Sequence, residues 1–244
     1  MNKYLARANQ LVPELVENRR HFHRHPEVRN ELFETVKYVK AQLEDMGYQV
    51  QEICQCGLVV LAGGKKPGKC ILIRGDMDAL PMPEDTGLEF SSENPGAMHA
   101  CGHDLHMAML LGAAKLLKEH EDEIEGTVKI CFQPNEETFG GAKAMIEAGV
   151  LENPHVDAAF AIHVGSMADV GTLDYGKGLT MYQNQPDGNG GMTSNLTTSP
   201  TLKVDIRVDS GQTDGKIGDI TWHWKSSTGV LTVDTIPEGQ MLFA

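Results

Sequence analysis

Between Met98 and Leu117 the chain reads MHACGHDLHMAMLLGAAKLL, a cluster of metal-binding side chains that runs without a break into an apolar helix pattern. Cys101 and His103 stand two apart, with Asp104 beside them and His99 and His106 on the flanks. A thiolate, an imidazole and a carboxylate are the donors that zinc and the neighbouring transition metals accept. Gly102 lets the backbone bend between the first two donors, and Leu110, Leu111, Ala114 and Leu117 then recur at helical spacing. A donor loop at a helix N-terminus is held by a rigid element, in a field that favours an anionic sulfur. Packing alone is a poor account of Cys101 and His103 in such a cluster. His99 and His106 are read either as further donors or as side chains that only pack around them.

Composition narrows the setting. At 244 residues the chain can bury a sizeable core in one domain or two modest ones. Its formal net charge of −13 argues against general nucleic-acid binding, which needs basic patches to meet phosphates. Carboxylates are themselves ligands, so the same charge is compatible with a metal site. No apolar run approaches the roughly 18 residues of a membrane span, and the N-terminus shows no apolar signal segment. The five cysteines are odd in number and scattered, with Cys54, Cys70 and Cys131 in strand-like runs. That usage fits reduced thiols and a cytoplasmic protein.

Read in order, residues 3 to 24 carry a helical stripe of Leu5, Ala8, Leu11, Leu15 and Val16, which Pro13 is expected to interrupt. His21, His23 and His25 close this segment and read as a polar helix end rather than a metal site. A second helix is expected from about Asn30 to Met46, with Gly47 as its C-terminal stop. The period then changes to strands in YQVQEIC, GLVVLAGG and KCILIRGD. The last is apolar through its middle, as an interior strand would be, and delivers Asp76 and Asp78 at its C-terminal end. EGTVKICFQPNEE is a further strand that ends in Glu136 and Glu137 past Pro134. Adjacent residues leave a strand in opposite directions, so one carboxylate can bind metal while the other serves as general base. FGGAKAMIEAGVL reads as a helix and VDAAFAIHV as a strand with His163 near its end. A histidine there is, taken alone, more often a satisfied core residue than a ligand. The order of elements gives an α/β fold, a mixed β-sheet sandwiched by helices. Donors at the ends of three strands and the start of one helix would converge on one sheet edge, where open α/β sheets place their ligands.

Several of these stretches together resemble a known family. RGDMDALP, the Met98–Leu117 segment, FQPNEETFGGAKAMIEAGVL and AFAIHV look like signatures of the dinuclear-metal amidohydrolases of the aminoacylase and carboxypeptidase superfamily. The branch most similar is that of hippurate hydrolase, auxin-conjugate hydrolase and N-acetyldiaminopimelate deacetylase. RRHFHRHPEV is similar to that branch's opening, and the likeness covers about residues 13 to 180. The resemblance implies a zinc-peptidase-like catalytic domain holding two divalent ions (manganese, zinc, cobalt or nickel). It implies Cys101, His103, Glu137 and His163 as metal ligands, with Cys101 as the bridge. Glu136 would be the general base, and Asp78 the aspartate that orients the base or a ligand. The implied reaction is hydrolysis of a small-molecule N-acyl amino acid to a carboxylate and a free amino acid.

From about Leu179 the sequence departs from that pattern. The family continues into an inserted lid domain with dimer contacts, then returns with one more histidine ligand. Residues 181–200 read here as a linker, and 201–244 as a small β-rich tail of unrecognised kind, giving a catalytic portion 1–180 followed by these two segments. Within the tail, TLKVDIRVDS, DITWHWKSS and GVLTVDTIP alternate with period two, and His223 would face away from Trp222 and Trp224. A homo-oligomer is compatible with this reading. So is a family member that binds metal or ligand without turnover, or an interaction protein that works through its tail.

Overall fold

The computed structural model describes residues 2–165, and beyond them the backbone of seven short strands between residues 174 and 233. Its contacts divide the chain into two units, Lys3–Val164 and Gly165–Ala244.

The first unit is a five-stranded sheet in the order β1-β2-β4-β3-β5. Its strands are β1 (Gln51–Ile53), β2 (Gly57–Gly63), β3 (Cys70–Asp76), β4 (Thr127–Gln133) and β5 (Ala158–Ala161). β2 pairs antiparallel with β1 and β4, whereas β3 lies parallel between β4 and β5, so the sheet is mixed and KCILIRGD is an interior strand. Alternation along the strands sorts their side chains. Leu58, Val60, Ile130 and Phe132 enter a core with Phe22, Val39, Leu43, Met107 and Leu111 from the helices. Val59, Leu72 and Cys131 enter a second core with Met145 and Val150 on the opposite face. Helices therefore cover both faces, α1 (Lys3–Arg24), α2 (Phe33–Asp45) and α3 (His103–Glu119) on one side and α4 (Gly141–Glu147) on the other.

Pro13 does not interrupt the first helix, which runs unbroken from Lys3 to Arg24. A mid-helix proline costs on the order of 3 kcal/mol locally, and tertiary packing outweighs it here. α1 lies antiparallel to α3 along a ladder of ion pairs: Arg7–Glu119 at 2.6 Å, Glu14–Lys115 at 2.6 Å and Arg19–Asp104 at 2.8 Å. Leu15 fits over Gly112, where a β-carbon would stand 2.5 Å from its Cδ2. The second helix starts at Phe33 rather than Asn30 because its free amides are capped from upstream. The Glu27 carboxylate accepts from the N–H groups of Glu34 (3.2 Å) and Thr35 (2.7 Å). Gly47, at φ +85°, makes the expected left-handed stop.

Two buried charges fix this frame. Lys129 points from β4 into the α4 side and donates to three carbonyls, Val150 (2.9 Å), Glu152 (2.8 Å) and Pro154 (2.9 Å). An ammonium has three donors, and all three are used. On the other side His23 is not part of a solvated helix end but is buried between two carboxylates, Asp104 at 2.7 Å and Glu84 at 3.2 Å. Glu84 in turn accepts from Thr86 and from the amide of Ser92, which ties the loop after β3 to α1 and to the start of α3. His21 stacks on Tyr38 with ring centroids 3.8 Å apart.

The second unit contains a three-stranded antiparallel sheet of β10 (Asp214–Ile217), β11 (Ile220–Lys225) and β12 (Val230–Val233). DITWHWKSS and GVLTVDTIP supply β11 and β12, and DGKI adds a strand that the sequence pattern did not single out. Two further pairs join β6 (Asp174–Tyr175) to β9 (Val204–Asp205) and β7 (Asn184–Pro186) to β8 (Met192–Ser194). β7 and β8 fall within the stretch read as a linker. His223 stands opposite Asp214 and Thr232 in the ladder; the direction of its side chain lies outside the described residues. Among the described residues no helix is long and apolar enough to cross a membrane.

Two outcomes follow from the buried charges. Lys129→Met leaves three carbonyls without their donor and is expected to lower stability by about 2–4 kcal/mol in urea unfolding; a loss under about 1 kcal/mol would mean that water substitutes. His23 has its pKa raised from 6.5, chiefly by its hydrogen bond to Asp104 against the opposing effect of burial. Its contribution to stability is thus fully present below about pH 6.5 and is lost as pH rises through the elevated value. Melting curves from pH 6 to 9 should show the wild type losing its advantage over His23→Gln; a constant gap would refute this.

Candidate metal centre

Asp78 stands where three segments meet. Its main-chain carbonyl accepts from His103 Nδ1 at 2.7 Å, and its carboxylate accepts from the amides of Glu136 (2.8 Å) and Glu137 (3.1 Å). The end of β3 therefore sets both the first residue of α3 and the loop after β4. Burial pushes the Asp78 carboxyl upward, and the two amides pull it back. The loop can approach this closely because it folds back at Gly141, where a β-carbon would lie 1.6 Å from the Pro134 oxygen.

These hydrogen bonds fix the tautomers. With Nδ1–H of His103 donated to a carbonyl, Nε2 carries the lone pair. That atom is buried with no hydrogen-bond partner among the described residues. It faces Asp76 Oδ2 at 3.7 Å, Glu136 Oε2 at 3.8 Å and Glu137 Oε1 at 3.8 Å. Glu137 Oε1 is also buried and unpartnered. At His163, Nδ1 donates to the Val164 carbonyl at 2.7 Å, and Nε2 lies 3.4 Å from Cys101 Sγ, within reach of its S–H. Lone pairs turned toward one another out of water repel unless a cation lies among them. Imidazole, thiolate and carboxylate donors suit zinc, manganese, cobalt or nickel. The donor atoms of Cys101, His103 and His163 lie within 4.8 Å of one another, as do those of His103, Glu136 and Glu137. His103 is common to both groups, so these five residues are gathered at one sheet edge, with Asp78 joined to them by its hydrogen bonds.

Electrostatics separates their roles. Burial, and then the charge of Glu137, pushes the Cys101 thiol up to about 12, so it needs a cation to ionise at neutral pH. Burial and the charge of Asp76 raise the carboxyl of Glu136, which makes it a better proton acceptor than an ordinary glutamate. Asp76 is the opposite case. Burial disfavours its charge, but the hydrogen bond from His106 and the Arg74 guanidinium hold it well below the usual range.

The sequence pattern misplaces some neighbours. His106 is no mere flank: it bonds Asp76 at 2.5 Å and the Val164 amide at 2.9 Å. Asp104 turns away from the metal side to His23. His99 is buried with neither ring nitrogen partnered among the described residues, and burial lowers its pKa to about 4. Helical spacing does place His103 and His106 on one face, but no local pattern announces the distant Val164.

Known proteins share much of this sequence and fold. The sequence profile of Peptidase family M20/M25/M40 matches residues 72–236, and so runs well past Leu179, where the motif resemblance ends. IAA-amino acid hydrolase ILR1-like 5 of Arabidopsis thaliana is 46% identical over 72% of this chain and 40% of its own length. N-acetyl-L-cysteine deacetylase of Bacillus subtilis is 41% identical over 70% of this chain and 41% of its own. A solved structure from Bacillus subtilis, described as a dinuclear metal-binding peptidase from the M20 family, superposes with a TM-score of 0.62. It is 36% identical and covers 69% of this chain and 49% of that one. The chain thus spans about two fifths of the length of the curated relatives it matches. With the profile extending over most of its length, the chain belongs to Peptidase family M20/M25/M40.

Proposed function

We propose that this chain carries the hydrolytic centre of a metal-dependent amidohydrolase that cleaves N-acyl amino acids. The observation that supports this best is the pairing of two glutamates on one loop with different surroundings. Both are partly buried and lie 3.8 Å from His103 Nε2, but Glu137 has a buried oxygen with no hydrogen-bond partner among the described residues, whereas the carboxyl of Glu136 has its pKa raised by burial and the charge of Asp76. In this reading Cys101, His103, Glu137 and His163 would hold two divalent ions. When bound, such ions polarise a carbonyl and acidify a water molecule. Glu136 takes a proton from the attacking water and returns it to the departing amide nitrogen, so that a carboxylate and an amine leave. Asp78 positions rather than reacts: its carboxylate holds the amides of Glu136 and Glu137, and its carbonyl holds His103. The substrate class rests on the names of the relatives, which include a hydrolase of IAA–amino acid conjugates and a deacetylase of N-acetyl-L-cysteine. A cytoplasmic setting suits the five free cysteines.

Binding without turnover is the second reading, and the donor count favours it. Four side chains are fewer than the three protein ligands that each of two catalytic ions would take.

Hydrolysis of N-acetyl and N-benzoyl amino acids by the purified chain, supplied with manganese or zinc, decides between them. Glu136→Gln is expected to lower kcat by about 10²–10⁴-fold with metal content unchanged. Turnover that survives this substitution would mean that Glu136 is not the proton carrier. Metal uptake without any turnover in the wild type would establish the second reading.

A further inference from the structure

We infer that His106 is a positioning residue that aims His163 into the metal centre, and is not itself a ligand. This rests on the metal-binding reading above. By distance alone His106 competes for a ligand role, since donor atoms of Asp76, His103 and His106 lie within 4.8 Å of one another. Its hydrogen bonds decide otherwise.

The Val164 amide points at His106 Nε2 at 2.9 Å, and a backbone N–H can only donate. Nε2 therefore carries the lone pair and spends it on Val164. The ring's one proton is on Nδ1, and it goes to Asp76 Oδ1 at 2.5 Å. Asp76 is held from its other oxygen by an ionic contact with Arg74 Nη1 at 2.7 Å, and Arg74 Nε donates to Gln133 Oε1 at 2.9 Å. Both ring nitrogens of His106 are thus committed, and neither has a lone pair to offer a cation. The same residue, Val164, uses its carbonyl to accept from Nδ1 of His163 at 2.7 Å. One peptide segment is gripped at its amide by His106 and grips His163 with its carbonyl, which leaves His163 Nε2 facing Cys101 Sγ at 3.4 Å.

Geometry around the segment reinforces this. His106 meets His163 edge-on, with ring centroids 4.7 Å apart. Val164 also presses on the donor loop: a β-carbon at Gly102 would lie 2.3 Å from its Cγ2. β5 ends at Ala161, so Val164 has no ladder to hold it. Arg74, Asp76 and His106 form a strut from the neighbouring strand and helix that does so instead. Asp76 and His106 are nearly closed to water, at 0% and 3% exposure, so water cannot readily substitute for the bond between them.

The test is cobalt(II) titration of the full chain, following the thiolate-to-cobalt charge-transfer absorption that Cys101 would give. The proteins compared are the wild type, His106→Asn, His106→Gln, His163→Ala and the double variant His106→Asn/His163→Ala. Asparagine can still donate to Asp76 but cannot reach Val164; glutamine can place its carbonyl near the Nε2 position and keep the Val164 contact. Loss of a residue that orients a ligand is expected to weaken cobalt binding by about 10–100-fold in His106→Asn. His106→Gln should stay within about threefold of wild type, and the double variant should bind no more weakly than His163→Ala. If the single losses multiply in the double variant, or if His106→Asn binds like wild type, the inference is overturned. Should His106→Asn not fold by circular dichroism, the glutamine variant decides alone, and a loss of about tenfold or more refutes the inference. A wild type that takes up no cobalt overturns the metal-binding reading and this inference with it. Uptake that depends on Cys101 but not on the His106–His163 coupling overturns the inference only.

Discussion

The contacts of Asp78 hold the rest of the site together. One residue, 0% exposed, uses its carbonyl for the first residue of α3 and its carboxylate for two consecutive amides beyond β4. Each bond alone is worth about 1 kcal/mol. Their importance lies in what they orient. A free His103 could present either ring nitrogen to the sheet edge, and a free Glu136–Glu137 loop could turn either carboxylate inward. With the three bonds made, Nε2 of His103 and both carboxylates, each 3.8 Å from it, are directed to a common centre.

Around that junction the chain repeats one solution: a buried charged or titratable side chain whose polar atoms are matched from distant parts of the sequence. Lys129 meets three carbonyls of one turn, and His23 lies between two carboxylates. Such contacts are costly to break singly, because each leaves a partner in low dielectric without a bond. They also make the frame specific, since an apolar residue of equal volume would accept several packings where these side chains accept one.

Much of this was legible in the sequence, and the reason is local chemistry. Strand ends that present Asp76, Asp78, Glu136 and Glu137, and a helix start that presents Cys101 and His103, announce themselves by period and residue type, whereas His163, read alone as a core residue, joined them only through the family resemblance. The sheet order was not legible, because β4 inserts between β2 and β3, and β5 pairs with β3 rather than with β4. Pro13 misled for a related reason: its penalty is local, whereas the ion pairs and Leu15–Gly112 contact that outweigh it come from α3, about a hundred residues away. His23 and His106 were underrated because their partners, Glu84 and Val164, lie far off in sequence and have no composition that marks them.

The position of β4 between β2 and β3 also sets an order of events. Until residues 127–133 arrive, the β1–β2 hairpin has an open edge, and β3 lacks the strand that links it to the hairpin. Unpaired apolar edges are what other chains adhere to. The period in which this protein is exposed to misassembly is therefore the wait for its fourth strand, a long-range pairing that is slow by nature. The loop that carries Glu136 and Glu137 follows directly on that strand, and His163 comes later still. The donor atoms of Cys101, His103, Glu136, Glu137 and His163 are thus gathered only when the sheet is complete.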